Sequence, residues 1–393
     1  MKKVFLFSLF LVLGLVLSQC LPVWLGEAFL TAEKVAKTLM FVCLAFIMIN
    51  VGREFEWDKT KWRSYAADYF IAMATAAVPW IMVAFYYMFL LPADLFGNWD
   101  AWKENLLLSR FAAPTSAGIL FTMLAAADGR REWIYKKTQV LAIFDDLDTI
   151  LLMIPLQIFM IGFKWQLFAV VIVITFLLVI GWKKLGTIRL SQTWKSILFY
   201  AVCIVAVTES IYLLTKWMMG ADGAIHIEVL LPAFVLGMVM KTVHQHGNRD
   251  EKITGMISYL FMFLVGLSTP QFIGIDHGHR ITEAVGIIAA QPMPSWEVLV
   301  VHVIVVTLLS NLGKMFPLFF YRDRQLEERL ALSVGMFTRG EVGAGIIVIA
   351  MGYNLGGPAL IISVLSLVLN LLLTGGFVVI VKRLAQQAYG LKE

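Results

Sequence analysis

The sequence predicts an all-α, polytopic membrane protein with about twelve transmembrane helices. Hydrophobic residues make up 60% of the chain and charged residues 15%, whereas soluble domains have roughly 45–50% apolar and about 25% charged residues. The mean hydropathy is +0.81. Apolar runs of the length that crosses a bilayer recur along nearly the whole chain. We therefore expect one membrane domain over residues 1–393, without a soluble domain of any size.

The spans are placed by the length of each apolar run. The first run follows Lys2 and Lys3, as in a signal peptide, but Gln19 before Cys20 does not suit a lipoprotein cleavage site, so we interpret it as an uncleaved helix. None of the three cysteines has the spacing of a metal or redox site. The predicted spans are 4–21, 33–51, 66–91, 105–127, 137–161, 165–182, 195–217, 226–242, 252–269, 296–321, 329–352 and 357–381.

The basic residues predict the orientation of these spans. The net charge is +5, and most of the 32 lysines and arginines fall in loops on one side of the predicted membrane. The positive-inside rule makes that side cytoplasmic, together with both termini, and it explains the net charge without a nucleic-acid partner. We expect a multi-pass protein of the inner (plasma) membrane. The opposite side holds only Lys34, Lys37, Lys103, Lys164, Lys216 and Arg280.

Three carboxylates lie inside the apolar run from about Val140 to Ile161: Asp145, Asp146 and Asp148. An ionisable side chain in hydrocarbon costs about 2.5–3.5 kcal/mol on insertion scales, and it usually marks an ion or proton path. Asp145 and Asp146 are about 100° apart around a helix, so one can face a cavity while the other meets a neighbouring helix. This segment is therefore the predicted centre of the functional site.

Polar residues of other spans are predicted at a similar depth. Counting about 1.5 Å per residue from the cytoplasmic ends of the helices places residues of four spans in a slab roughly 10–20 Å deep. Arg110 lies near the outer end of the fourth span, where its side chain could extend towards the outer surface. The residues of the slab are Asp145, Asp146, Thr115, Ser116, Lys314, Arg339 and Glu341.

The fourth and eleventh spans also contain helix-breaking residues. Pro114 removes a backbone donor and disfavours helix at the preceding residue. The eleventh span has Gly340, Gly343 and Gly345 within a short segment. Interrupted helices in both halves of a transporter point to an ion site near the middle of the membrane. A proline kink and a glycine packing face are the alternative interpretations.

Buried carboxylates at such a site can exchange ligands. Burial favours the neutral form of a carboxylate, and a nearby cation favours the charged form. A proton and a monovalent cation therefore compete for the same group, which is sufficient to couple their movements in opposite directions. No cofactor is expected.

Four segments together resemble a known family, the monovalent cation/proton antiporters of bacteria and their relatives. Phe144-Asp145-Asp146-Leu147 is similar to its fifth-helix ion site, and Ala113-Pro114-Thr115-Ser116 to its unwound fourth helix. Lys314 matches a basic residue of the tenth helix, and the segment from Thr338 to Gly343 a signature of the eleventh. The resemblance covers most of the chain, and the combination of these motifs is specific to the family.

The resemblance implies two inverted repeats, with discontinuous helices 4 and 11 crossing at mid-membrane. A core within 66–161 and 296–381 would move against a dimerisation domain within 4–51 and 165–269 of a homodimer. Asp146 would be the main cation and proton carboxylate, with oxygens from Thr115 and Ser116. Asp145 would pair with Lys314, as in the electrogenic branch. Arg339 would pair with Glu341.

Two departures from the family pattern leave details open. Asp148 stands where a small residue is more usual and adds a possible accessory carboxylate. Ser116 stands where some relatives carry an acid, so selectivity among Na⁺, Li⁺ and K⁺ is open. The proton stoichiometry is open as well.

Other functions fit the sequence less well. An intramembrane aspartyl protease needs aspartates facing each other from two helices, which neighbouring residues of one helix cannot provide. A sodium-coupled organic solute symporter with a similar inverted-repeat fold is the main alternative, but it would not need a buried lysine against paired aspartates. A channel or a non-transporting sensor is a further alternative. We predict a transporter that exchanges a monovalent cation for protons, and no enzyme activity.

Overall fold

The computed structural model describes residues 2–26, 29–54, 62–116, 119–121, 133–161, 166–184, 187–219, 229–240, 248–268, 286–288, 290–352 and 355–389. Within these residues the protein is mostly helical, and the β contact found is one isolated parallel bridge between Ile188 and Met240. The helices are α1 (Lys2–Leu25), α2 (Phe29–Glu54), α3 (Trp62–Leu90), α4 (Trp99–Ser109), α5 (Trp133–Ile161), α6 (Gln166–Lys183), α7 (Trp194–Met219), α8 (Leu230–Val239), α9 (Asn248–Leu267), α10 (Trp296–Gly313), α11 (Leu326–Gly335), α12 (Glu341–Gly352) and α13 (Gly357–Tyr389).

Several of these helices have the length and apolar composition of membrane spans. In the described part of the chain, five segments meet both conditions. Two shorter apolar helices, Leu9–Leu21 and Lys252–Leu267, accompany them. The helical, membrane-protein class is therefore as predicted, and the number of twelve spans stays a prediction. The five segments are Lys34–Arg53, Arg63–Leu90, Trp194–Met218, Trp296–Phe319 and Gly357–Tyr389.

The fourth predicted span differs most from the helix found there. We placed its start at residue 105, but α4 begins at Trp99, because the Asn98 side chain accepts a hydrogen bond of 2.9 Å from the Asp100 amide and caps the helix. The helix ends at Ser109, and a 3₁₀ turn, Arg110–Ala112, follows. Residues 113–116 are not helical.

The eleventh predicted span is also divided between two helices. Helix α11 begins with a capping box, in which Gln325 and Glu328 satisfy each other's free backbone amides. It ends at Gly335, and residues 336–340 are not helical. Helix α12 begins at Glu341. That these segments belong to two membrane-spanning helices that cross at mid-membrane stays a prediction.

The chain divides into two compact units. The first comprises Met1–Gly26, Lys61–Met160 and Val265–Glu393, and it contains all the predicted site residues. In this unit α11 and α10 pack against α13, and α3 packs against α4 and α10. Gly313 allows the close approach of α10 to α3, since an added Cβ would lie 2.6 Å from the Pro79 nitrogen.

The second unit comprises Glu27–Thr60 and Ile161–Leu264. Its helix α2 packs against α8 and α7. Two glycines permit the contact with α8, because a Cβ added at Gly237 would lie 2.9 Å from the Cα of Gly52. Small residues at such crossings let helix backbones approach closely in membranes. The predicted assignment of a moving core and a dimerisation domain stays a prediction.

Candidate functional site

The non-helical segments 113–116 and 336–340 lie against each other. The Ser116 amide donates a hydrogen bond of 2.9 Å to the carbonyl of Thr338. The Thr115 hydroxyl donates to the carbonyl of Met336 at 3.0 Å. Where a helix is interrupted in an apolar environment, the backbone N–H and C=O groups need hydrogen-bond partners outside the helix. Each segment here satisfies backbone groups of the other.

Gly340 makes this contact possible. A Cβ at this position would lie 2.6 Å from the Cδ1 of Ile119, 2.8 Å from the Oγ of Ser116 and 2.9 Å from the Cβ of Ser116, which can move only with its backbone. Real Cβ atoms do not approach neighbours so closely, so a side chain would push the two segments apart. The glycine that suggested a helix break in the sequence therefore also allows the close packing of the segments.

Asp145 and Lys314 form a buried ion pair. The ammonium nitrogen of Lys314 lies 3.0 Å from Oδ1 and 2.9 Å from Oδ2 of Asp145, and both side chains are fully buried. The Thr115 amide donates to Oδ2 of the same carboxylate at 2.6 Å. Asp145 of α5 thus joins the end of α10 to the non-helical segment after α4.

Asp146 lies next to this pair on α5, and it is 3% exposed. Ser116 and Thr115 are buried as well. The hydrogen bonds of Thr115 connect it to Asp145 and Met336. That its oxygen and that of Ser116 bind a cation at Asp146 stays a prediction.

Arg339 links both non-helical segments to α10. This fully buried guanidinium donates from Nη1 to the carbonyl of Pro114 at 2.9 Å and from Nη2 to the carbonyl of Ser310 at 3.2 Å. A planar guanidinium suits two acceptors that lie on different elements. The predicted partner, Glu341, begins α12, but its side chain lies outside the described residues. The structure therefore brings Arg339 to the site through backbone carbonyls.

Arg110 is the residue whose place we predicted wrongly. Its guanidinium is fully buried instead of extending outwards. Nη2 donates to the carbonyl of Asp148 at 3.1 Å, and Cζ lies 4.5 Å from the ring centre of Trp80. These contacts lie on two other helices, so the position of Arg110 within its own span did not reveal them. An arginine beside a proline-interrupted membrane segment was the signal for a buried role.

Asp148 lies on α5 beside Arg110 and is 1% exposed. The side chain of Tyr69 of α3 hydrogen-bonds to its carboxyl group. The ring of Tyr69 also packs edge-to-face against Phe144, with ring centres 5.5 Å apart. The accessory carboxylate suggested by the sequence is thus held in the interior by groups from two neighbouring elements.

Three comparisons relate this chain to known proteins. The family model described as sodium/hydrogen exchanger, transmembrane, matches residues 2–383. A comparison with curated proteins found no match. Among solved structures, the sodium proton antiporter MjNhaP1 from Methanocaldococcus jannaschii, at pH 8, is similar, with a TM-score of 0.58 and 14% sequence identity. The alignment covers 98% of this chain and 92% of that chain, so the two share a fold. Because the family model matches nearly the whole length of this chain, the chain belongs to the transmembrane sodium/hydrogen exchanger family.

Proposed function

We propose that this protein exchanges Na⁺, or alternatively Li⁺ or K⁺, for H⁺ across a membrane by alternating access. The observation that carries the proposal is the Asp145–Lys314 ion pair, buried where the two non-helical segments meet. Ionisable groups inside a membrane protein are costly and mark ion or proton pathways. Membership in the sodium/hydrogen exchanger family supports the same ions.

Asp146 is the proposed carboxylate for which cation and proton compete. As a buried acid beside an established ion pair, it can hold a proton or a monovalent cation, and holding both at once is unfavourable. Thr115 and Ser116 would add oxygen ligands, which suit hard monovalent cations. Release of the proton would then accompany binding of the cation on either side of the membrane.

Asp145 and Lys314 are proposed to compensate each other's charge during the cycle. Both oxygens of Asp145 accept hydrogen bonds from Lys314, which keeps this carboxylate away from the transported cation. If cation binding released a proton from Lys314 as well as one from Asp146, two protons would be exchanged for one monovalent cation, and the exchange would be electrogenic. Arg339 would hold the two non-helical segments together near this pair, with Glu341 as its charge partner.

The proposed architecture completes this mechanism. Twelve spans would form two inverted repeats, whose discontinuous fourth and eleventh helices cross at mid-membrane. The core, within 66–161 and 296–381, would move against a scaffold within 4–51 and 165–269 that also forms a homodimer. The protein would lie in the inner membrane, with both termini cytoplasmic, as the distribution of lysines and arginines favours.

The function is tested in proteoliposomes that contain a pH-sensitive dye and an imposed pH gradient. Addition of Na⁺, Li⁺ or K⁺ to the wild type should cause proton movement. The Asp146→Asn variant should reduce this signal by at least roughly tenfold, because an amide does not ionise and carries no full charge for the cation. Asp323→Asn removes a carboxylate whose side chain is 76% exposed, and it should leave the signal unchanged.

Two results would contradict the proposal. Cation-evoked proton movement that survives in Asp146→Asn would remove Asp146 from the site. Absence of such movement in the wild type, together with Na⁺-driven uptake of an organic solute, would favour the symporter instead.

A further inference from the structure

Asp148 and Arg110 are two buried charged groups that the proposed exchange does not use. Asp148 is 1% exposed, and its Oδ2 has no hydrogen-bond partner within the described part of the chain. A carboxylate in such a place is stable only if another charge or donor compensates it. The sequence offered no account of this third acid.

The guanidinium of Arg110 lies near Asp148 and interacts electrostatically with its carboxylate. Its Nη2 donates to the backbone carbonyl of Asp148 at 3.1 Å. The carboxyl group of a residue is only a few bonds away from its own carbonyl, so the positive charge lies close to the negative one. Arg110 is fully buried, and its Nε and Nη1 have no partner among the described residues. Each member of the couple thus has bonding capacity left, which a water molecule between them can satisfy.

The other buried charges of the site have their own contacts. Asp145 accepts hydrogen bonds from Lys314 and from the Thr115 amide. Arg339 donates to the carbonyls of Pro114 and Ser310. Arg110 is attracted electrostatically by both Asp145 and Asp148, but only Asp148 has a carboxylate oxygen without a partner in the described residues. The couple is therefore Arg110 with Asp148.

The surroundings hold Arg110 in this position. The guanidinium stacks over the ring of Trp80, 4.5 Å from its centre, and such a stack favours a cation. The indole nitrogen of Trp80 donates to the carbonyl of Leu106 in α4 at 2.7 Å, so the ring itself is fixed to the helix that precedes Arg110. The end of α4 then places the arginine in the interior next to α5.

We propose that Arg110 acts as an internal, tethered cation for Asp148, and so determines how many carboxylates are available to transported cations. With Arg110 beside it, Asp148 is compensated by the protein and binds no Na⁺. This role rests on the proposed cation exchange and assigns Arg110 as a specificity-determining residue. It also explains how a third acid can be buried two positions after Asp146 without adding a second cation site.

The test compares Arg110→Gln, Asp148→Asn and the double variant in purified, full-length protein. The amount of ²²Na⁺ bound at saturation and alkaline pH is measured by equilibrium dialysis. Arg110→Gln should bind roughly twofold more Na⁺ per chain than the wild type, because Asp148 is then a second uncompensated carboxylate. The double variant should return to the wild-type amount. Arg322→Gln, which removes an exposed arginine, should change nothing.

Thermal melting of the same variants decides the outcome if Arg110→Gln folds poorly. Each single variant leaves one buried charge without its partner and should melt below the wild type, whereas the double variant should recover most of that loss. Arg110→Lys, which keeps the charge, should bind the wild-type amount of Na⁺. Additive losses in the double variant, or unchanged Na⁺ binding in a folded Arg110→Gln, would overturn the proposal. If wild-type protein binds neither Na⁺ nor Li⁺ nor K⁺ but the double variant recovers stability, the proposed exchange fails while the pairing stands.

Discussion

At the scale of single residues, the site is a set of buried charges that compensate one another. Asp145, Asp146 and Asp148 supply the negative charges, and Arg110, Lys314 and Arg339 the positive ones; all are at most 3% exposed. Burial of such groups is tolerated only when each has a partner or a hydrogen bond. Asp145 and Lys314 are in direct contact, with Nζ 2.9 Å from Oδ2, and the removal of this pair is therefore an informative change.

Lys314→Gln should destabilise the protein and change transport. Loss of one partner from a buried ion pair costs about 3–5 kcal/mol, because it leaves the other charge uncompensated. We expect a lower melting temperature, and either weaker exchange or a different dependence on membrane voltage. Melting in detergent and exchange in proteoliposomes at set potassium-diffusion potentials measure the two effects.

The double variant Lys314→Gln/Asp145→Asn is the control for this change. It removes both charges, so it should melt at a higher temperature than Lys314→Gln alone. Exchange that depends neither on voltage nor on Lys314 would refute the electrogenic pairing.

The sequence predicted this pair better than it predicted Arg110. Counting from the cytoplasmic ends of the predicted spans gave Lys314 and Asp145 similar depths, and the structure pairs them, although the count for Lys314 ran through residues 314–321, which form no α-helix. Asp145 lies within α5, and Lys314 caps the end of α10. Arg110 lies just beyond the end of α4, in a 3₁₀ turn, and its position in the span did not predict its surroundings. The contact that buries it involves Trp80 of another helix, which no local pattern reveals.

At the scale of secondary-structure elements, the site depends on the contact between two non-helical segments. Pro114 and the glycines after Arg339 pointed to these segments in the sequence, because both residue types weaken helices. The hydrogen bond between Ser116 and Thr338 depends on tertiary packing, so it could not be predicted. The early start of α4 could have been recognised from Asn98, whose side chain caps the helix.

Gly340→Ala should separate these segments. The added methyl group would lie 2.6 Å from Ile119 and 2.8 Å from the Ser116 hydroxyl. Overpacking of this kind costs about 1–3 kcal/mol. We expect a lower melting temperature and slower exchange, because the Thr115 amide would move away from Asp145.

Gly345→Ala provides a matched control from the same glycine-rich segment. A Cβ there meets no atom within 4 Å, and the residue lies inside α12. Its stability should stay within about 1 kcal/mol of the wild type or rise, because alanine favours a helix over glycine. Equal losses in both variants would mean that helix content, and not the contact between the segments, determines the effect.

At the scale of the whole molecule, the distribution of basic residues determines how the protein lies in the membrane. The family model covers residues 2–383, so the predicted spans all fall within one family domain. The positive-inside rule then assigns each connection between spans to one side. This assignment depends on the number of spans before each loop, since one span more or fewer would exchange the sides of all loops that follow it.

Cysteine labelling tests this topology directly. Lys34, Lys184 and Arg322 are exposed, so a cysteine at any of them can react once a reagent reaches its side. In a background with Cys20, Cys43 and Cys203 replaced by serine, Lys34→Cys should react with a membrane-impermeant maleimide in intact cells. Lys184→Cys and Arg322→Cys should react only after the membrane is made permeable, because both connections carry several basic residues and are predicted to be cytoplasmic. Labelling of Arg322→Cys in intact cells would mean that the number of spans before Arg322 differs from the predicted ten by an odd number, and it would contradict a cytoplasmic position for this connection.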